Sequence, residues 1–505
     1  MSWLDPLFPL VVLGSPNRPA RVTDDSREVE EDCAFVAVPG ISADGHAHIP
    51  RAIAAGCPLV LCERIPEHPD PRVCFAKLAD TRAALPTIAQ LFYGEPCKEM
   101  KVFGVTGTNG KTTSSYLFES LGSMLGHRVG IFGTISHRMP GYSEKAANTT
   151  PGLLKMMGLL HRMRSSGVDW VGMEVSSHGL HQGRLDGVLF DVAAWTNLGR
   201  DHLDYHHSME EYAAAKRCLF DPLLERAFQA GKQPIALCNA DDAAVARIQD
   251  ELDDSKWGGG RMWTSSRTCQ RPDTLLARAL SATKSGYQVE LEWRGQRCPS
   301  SIPLSGRFNV DNALIAVGAA LCLGHSLQEL AARLPQLAQV PGRLEAFGGQ
   351  GAPRVFVDFA HTPEALASVL ESLRSVCSGR LFVVFGAGGD RDPGKRGPMG
   401  SVAAALADAV VLTNDNPRSE PPASIIDAIL AGVPTEQRSK VEVEADRRRA
   451  VAHAVGKAQS EDIVLVAGKG HEGHQLIGQA QHRLDDRELV VEALQQWKAE
   501  GIQDD

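Results

Sequence analysis

The stretch Gly104-Val-Thr-Gly-Thr-Asn-Gly-Lys-Thr-Thr113 decides the reading of this chain. It follows an apolar run, Lys101-Val-Phe-Gly-Val105, and opens a segment, Ser114 to Leu125, whose composition predicts a helix. A Gly-rich turn between strand and helix that closes on Gly-Lys-Thr is the context a phosphate-binding loop needs. Gly107 and Gly110 let the backbone curl until its N–H groups face phosphate oxygens, and the helix N-terminus adds partial positive charge. Lys111 supplies a full charge against the outer phosphates, and the Thr112 hydroxyl is placed to ligate Mg²⁺. The strict pattern asks for glycine five residues before Gly110. Val105 stands there, with Gly104 one place earlier, so the loop is a variant form. A Gly-rich turn carrying a chance lysine is the plainer alternative, and Gly-Lys-Thr-Thr at a strand–helix junction is a demanding coincidence.

The pattern around the loop recurs along the chain. Val168-Asp-Trp-Val-Gly-Met173 runs into Glu174-Val-Ser-Ser-His178, and Val192-Ala-Ala-Trp-Thr196 runs into Asn197-Leu-Gly-Arg-Asp-His202. Near-continuous apolar strands alternating with helical stretches predict parallel sheets covered on both faces, with function at the carboxyl ends of the strands. The pattern restarts after Pro341, in Val355-Phe-Val357, Leu381-Phe-Val-Val-Phe385, Val410-Val-Leu412 and Ile463-Val-Leu-Val-Ala467. Phe35-Val-Ala-Val38 and Leu59-Val-Leu61 mark a third unit. The expectation is an α/β chain of three domains: residues 1–98, a central P-loop-type parallel-sheet unit over 99–340, and a Rossmann-like unit over 341–505.

Composition excludes several classes. A chain of 505 residues is too long for one ordinary core. The net charge of −9 argues against a dedicated nucleic-acid binder, so anionic ligands must be held by local positive features. The eleven cysteines form no CxxC pair, which reads as reduced thiols in a cytoplasmic protein. The apolar run from Leu7 to Leu13 contains Pro9 and lacks a basic flank, and no stretch approaches the ~20 apolar residues of a membrane span.

Other blocks make the loop specific. Asn148-Thr-Thr-Pro151, Glu174-Val-Ser-Ser-His178, Asn197-Leu-Gly-Arg-Asp-His-Leu-Asp204, Gly306-Arg-Phe-Asn-Val-Asp-Asn312, Gly342-Arg-Leu-Glu345, Asp358-Phe-Ala-His-Thr-Pro363 and Asp415-Asn-Pro-Arg418 occur in this order. Together with Thr106-Gly-Thr-Asn-Gly-Lys-Thr112 they resemble the Mur ligase family over nearly the whole chain. The resemblance implies an ATP-dependent ligase in which a carboxylate becomes an acyl phosphate and an amine then displaces phosphate. It implies UDP-N-acetylmuramoyl-L-alanyl-D-glutamate as acceptor, meso-diaminopimelate as the incoming amine, Mg²⁺ as cofactor and a monomer.

It also implies roles. Gly107, Thr108, Asn109, Gly110, Lys111, Thr112 and Thr113 would cradle ATP. Asn309 and Asn312 would meet adenine and ribose, Arg343 would reach the nucleotide from a hinge, and Asp358 and His361 would face it. Glu174 and His202 would hold Mg²⁺ with Thr112. Read from the residues alone, Lys216 is an ordinary solvated helix lysine; the resemblance makes it a carbamylated metal ligand. Lys111, Glu174, His202 and Lys216 are thus the implied catalytic set. Ser26 and Arg27 resemble a UDP-contacting segment, with Gly45-His46 nearby, although His46-Ala-His-Ile-Pro50 departs from the family's His-Gln pattern. Asn148, Thr149, Thr150, Ser176, Gln182 and Arg184 match residues that hold the muramoyl peptide.

Asp415, Asn416, Pro417 and Arg418, with Arg391, Gly468 and Glu472, match the amino-acid pocket. An acid and a planar cation suit the far ammonium and far carboxylate of diaminopimelate, and Arg can grip a carboxylate bidentately. A folylpolyglutamate-synthetase-like ligase shares the loop chemistry, and an inactive nucleotide-binding paralogue is the reading from another class.

Overall fold

The computed structural model describes residues 3–501 apart from 15–17, 41–43, 269–270 and 284. Cys269 lies outside the described residues; the ten described cysteines are unpaired. Among the described residues no helix is long and apolar enough to cross a membrane.

Among the described residues three large sheets carry the chain, beside a two-stranded hairpin of His474–Ile477 with Ala480–Arg483. The central one has eleven described strands, and its middle runs Met262–Ser266, Ile235–Asn239, Val192–Trp195, Lys101–Thr106, Trp170–Glu174 and Val129–Phe132, all parallel. Alternate residues of these strands feed two cores. Phe103, Val105, Ile131, Val192, Ala194 and Leu237 pack against the helices Lys111–Met124 and Phe308–Cys322. Val102, Phe132, Val171, Met173, Ala193 and Trp195 face the helix Leu153–Ser165. Burial on both faces explains why these strands read as unbroken apolar runs.

Lys101–Thr106 lies between Val192–Trp195 and Trp170–Glu174, so the chain leaves it in one direction and returns on the other side. Such a switch point opens a crevice at the strand's carboxyl end, where Gly107 begins the loop. The sheet is extended by antiparallel hairpins, Thr274–Thr283 with Gly286–Trp293 and Gln296–Ile302 at one edge, and Ser136–Met139 with Tyr142–Lys145 at the other.

The N-terminal sheet has five described strands, parallel except for the edge strand Val11–Leu13. Ile88, Ala89 and Phe92 of the helix Thr81–Tyr93 join one core with Met156, Leu159 and Leu160, which docks this sheet onto the central one. The C-terminal sheet orders its strands Glu345–Gly348, Arg354–Asp358, Ile463–Ala467, Leu381–Phe385, Ala409–Leu412 and Val441–Val443, all parallel except the first. Helices Pro363–Arg374, Arg396–Leu406 and Pro422–Leu430 cover one face, and Arg447–Lys457 and Asp486–Gly501 the other. This is the multi-domain α/β architecture expected from the sequence.

Candidate active site

The phosphate loop is shaped by its two glycines. Gly107 has φ +147° and Gly110 φ +87°, conformations that side-chain-bearing residues rarely adopt. A Cβ on Gly107 would collide with the Thr196 hydroxyl, and one on Gly110 with the Asn312 side-chain oxygen. The loop is thereby clamped between the next strand end and the helix Phe308–Cys322. Asn109 N donates to Asn197 Oδ1 (2.8 Å), and Thr108 Oγ1 bonds to the backbone of Gly199. The helix begins at Lys111, so Thr112 and Thr113 lie in its first turn.

A cavity of about 580 Å³ opens above the loop, lined by Thr108 through Thr113, Glu174, His202, Lys216, Asn312, Arg343, Asp358 and His361 among others. Glu174 ends its strand fully buried. Its carboxylate accepts from Thr112 Oγ1 (2.7 Å), Thr134 Oγ1 (2.8 Å) and Thr134 N (2.9 Å). Lys111 Nζ folds back on the carbonyl oxygens of Gly107 (2.7 Å) and Thr108 (2.9 Å). Burial holds its pKa below the ordinary lysine value, against the pull of Glu174 and Asp201.

Lys216, on the helix Met209–Arg217, is buried rather than solvated, which overturns the plain reading of that helix. Its Nζ donates to Gly107 O (2.9 Å) and sits 4.5 Å over the Tyr212 ring. Burial, and then the charge of Lys111, drives its pKa well below the ordinary value. His202 occupies a left-handed turn at φ +53°, its ring 4.9 Å from that of His178 and its Nε2 3.4 Å from Asp201.

Arg343 enters from the connection between the central and C-terminal sheets. Its Nη2 donates to Thr112 Oγ1 (3.2 Å), and its guanidinium lies 4.5 Å over the Phe359 ring. Asp358 accepts from Leu344 N (2.6 Å) and Ala360 N (2.7 Å). It does not cap the following helix; Thr362 does, through Ala365 N. His361 Nδ1 bonds to Phe359 O (2.7 Å). Asn312 lines the cavity, while Asn309 stands behind it, its Oδ1 accepting from Asn312 Nδ2 (3.0 Å).

The residues matched to the muramoyl peptide form a chain from the cavity towards the N-terminal sheet. Thr149 Oγ1 meets Thr134 Oγ1 (3.0 Å), and Thr150 Oγ1 joins Glu174 O and Ser176. Arg184 donates to Thr150 O (2.8 Å) and Gln182 Oε1 (2.6 Å). Ser26 is buried nearby, where Lys155 pairs with Glu28 at 3.0 Å. Asn148 and Arg27 are not drawn in: Asn148 is exposed, and Arg27 is forked onto its own neighbour Asp25.

The third cluster lies at the strand ends of the C-terminal sheet. Asp415 is buried, with its Oδ2 against Gly468, where a Cβ would come within 2.6 Å. Asn416 links Glu472 (2.8 Å) and Lys469 (3.1 Å), and Pro417 is buried between Asn416 and Arg418. Arg418 has φ +51° and donates from Nη1 to Gly389 O (2.6 Å). Arg391 is exposed, and a Cβ on Gly388 would meet both its side chain and that of Arg418. Burial lowers the Lys395 pKa, against the pull of Asp415 and Asp201.

Two features of the site carry no sequence signature of their kind. Thr134, at the end of Val129–Phe132, bonds both Glu174 oxygens, and the available signal was only its position after an apolar strand. Arg267 pairs with Asp311 at 2.5 Å on the cavity wall, and burial raises the Asp311 carboxyl to about 6. Such pairings depend on tertiary contact and leave no local pattern.

Residues 105–320 match the Mur ligase middle domain and residues 342–470 the Mur ligase glutamate ligase domain. A UDP-N-acetylmuramoyl-L-alanyl-D-glutamate--2,6-diaminopimelate ligase from Pseudomonas aeruginosa is 41% identical over 483 residues, covering 94% of this chain and 95% of its own. The chain belongs to the Mur ligase family. A ligase of the same name from Gloeobacter violaceus is 39% identical, with 95% of each chain covered. A solved structure of a ligase of that name superposes with a TM-score of 0.68 at 32% identity, over 98% of this chain and 99% of that one. As a Mur ligase, the chain is an ATP-dependent amide-bond-forming enzyme.

Proposed function

We propose that this ligase adds meso-diaminopimelate to the D-glutamate of UDP-N-acetylmuramoyl-L-alanyl-D-glutamate, a step of peptidoglycan precursor synthesis. The observation that carries the reading is a single cavity that brings the phosphate loop, Glu174 and Lys216 together with Thr149 and Ser176 of the muramoyl-peptide chain and with Arg343, Asp358 and His361 from the C-terminal side. The proposed division is 1–98 for the UDP-substrate, 99–340 for ATP and 341–505 for the amino acid. The protein acts in the cytoplasm as a monomer.

The chemistry follows from the charges. Charge gathers on the phosphoryl group as it passes to the D-glutamate carboxylate and on the oxyanion as the tetrahedral adduct forms, and it leaves with phosphate when the adduct collapses; Lys111 and Arg343 are placed to offset it. Arg184 orients the acceptor. The diaminopimelate amine attacks the acyl phosphate, and its far ammonium and carboxylate are read by Asp415 and Arg418. Asn416, Glu472 and Lys469 hold that reading loop in place.

The donors on the loop suit Mg²⁺, which favours oxygen and keeps several waters and phosphate oxygens in its shell. Buried Glu174 and the Thr112 hydroxyl supply two such oxygens, with His202 nearby. Among the described residues no three His, Cys, Asp or Glu side chains form a ready cage, consistent with a cation completed by ATP and solvent. Bound there, Mg²⁺ would neutralise phosphate charge. A neutral Lys216 amine is the form that takes up carbon dioxide, so a carbamate at Lys216 fits its depressed pKa.

The intact Lys111, Glu174, His202 and Lys216 set weighs against an inactive paralogue, and the Asp-Asn-Pro-Arg cluster against a folylpolyglutamate-type ligase. Phosphate release measured with the UDP-dipeptide and a panel of amino acids tests the proposal. Release should require both co-substrates and be fastest with meso-diaminopimelate. Release driven best by L-glutamate or L-lysine would contradict it.

A further inference from the structure

Two packed helices of the central domain end in the same way. Lys111–Met124 runs into Gly126-His127, and Phe308–Cys322 runs into Gly324-His325. Both glycines are left-handed, with φ +91° and +103°. His127 N returns to Gly122 O (2.9 Å) and His325 N to Ala320 O (3.2 Å), five residues back in each case. That closure is the Schellman motif, which fixes the backbone just beyond a helix. The two fixed histidines meet, with Nε2 atoms 3.0 Å apart.

Their other nitrogens face acids. His127 Nδ1 lies 2.5 Å from Asp169 Oδ2, and His325 Nδ1 lies 3.8 Å from Glu329 Oε2. The Trp170 ring stacks on His127 at 4.1 Å. A carboxylate behind an imidazole orients it and strengthens it as a metal ligand. The contact is part-buried, and both side chains remain about one-fifth to one-quarter exposed. We infer that His127 and His325 form a two-imidazole binding site for a borderline transition-metal dication such as Cu²⁺ or Zn²⁺, separate from the ligase centre.

The geometry suits such an ion. With metal–nitrogen bonds of ~2.05 Å, a 3.0 Å separation gives a bite angle of about 94°, fitting adjacent positions of a square-planar or octahedral shell. Solvent completes the shell. Mg²⁺, which prefers oxygen donors, does not compete. Trp170 and Glu174 are the first and last residues of one strand, so the histidine pair and the ligase centre stand about 13 Å apart along it. Occupancy would tie the ends of the helix that begins at the phosphate loop and the helix that carries Asn312. The alternative occupant of the gap is a single proton shared by two imidazoles.

Trp170 provides the readout. The full-length enzyme, in excess Mg²⁺, is titrated with Cu²⁺ and its tryptophan fluorescence followed, alongside His127→Gln, His325→Gln and Trp170→Phe. The chain has seven tryptophans, so a saturable loss of about one part in seven is expected in the parent. It should be reversed by a chelator and absent from all three variants. Unchanged ligase turnover certifies their folding. Zn²⁺ should raise the melting temperature of the parent and not that of His325→Gln. A quench that persists in His325→Gln, or an equal Zn²⁺ shift in parent and variant, overturns the site and leaves the shared proton.

Discussion

The amine of Lys216 lies 2.9 Å from the carbonyl oxygen of Gly107, the residue at which the phosphate loop turns. A lysine buried against a loop that must face phosphate cannot serve as a solvated surface charge. Lys216→Ala is expected to abolish ligation without unfolding the protein, and short carboxylic acids added to the assay should restore part of the rate by presenting oxygen anions in the vacated space. Intact-mass analysis of active enzyme at neutral pH should show a carbon dioxide adduct that Lys216→Ala lacks. A bare amine in fully active enzyme would contradict the carbamate.

Among the described residues the Lys111 Nζ bonds the loop carbonyls of Gly107 and Thr108. Lys111→Ala should therefore keep the melting temperature and lose turnover. Removing a donor aimed at developing charge costs ~3–4 kcal/mol, so at least a ~10²-fold fall in kcat is expected. Near-normal turnover would show that this loop is not the ATP site.

His137, on the edge hairpin beside Phe132, is buried, and its Nδ1 has no hydrogen-bond partner among the described residues. Burial lowers its pKa to about 4. The unfolded chain takes up this proton near pH 6.5, the folded chain only near pH 4, so between the two the unfolded state binds more protons. Stability from this group is present above pH 6.5 and is lost on acidification towards pH 4, by on the order of 3 kcal/mol. His137→Phe should flatten that part of the stability–pH profile. An unchanged profile between pH 6.5 and 4 would refute the assignment.

Much of this architecture was legible because parallel strands buried on both faces leave unbroken apolar runs. Leu381–Phe385 and Ile463–Ala467 occur as read, and Lys101–Thr106 differs by one residue. The phosphate loop was legible for a local reason, since its glycines and lysine act within ten residues of one another. The hairpins at both ends of the central sheet were not. Strands such as Ser136–Met139 and Tyr142–Lys145 are half exposed, so they carry no apolar run, and nothing local marks their pairing with each other or that of Ser136–Met139 with Val129–Phe132. The burial of Lys216 was hidden too, because a helix of Glu, Ala, Lys and Arg reads as solvated until its packing against Gly107 is seen.

The proposed role of the Asp415–Arg418 cluster is to read the far end of meso-diaminopimelate. Arg418 is held in a left-handed backbone conformation, and such strain persists where the surrounding structure fixes it. Removing one partner of a desolvated charge pair typically costs ~2–5 kcal/mol, or roughly 30- to several-thousand-fold in affinity. The decisive measurement is kcat/KM for meso-diaminopimelate and for L-lysine in the parent enzyme and in Arg418→Ala. The account predicts a steep rise in KM for diaminopimelate, little change in KM for ATP, and a narrowed preference over lysine, whose ammonium Asp415 can still meet. An unchanged diaminopimelate-to-lysine ratio in Arg418→Ala would contradict it.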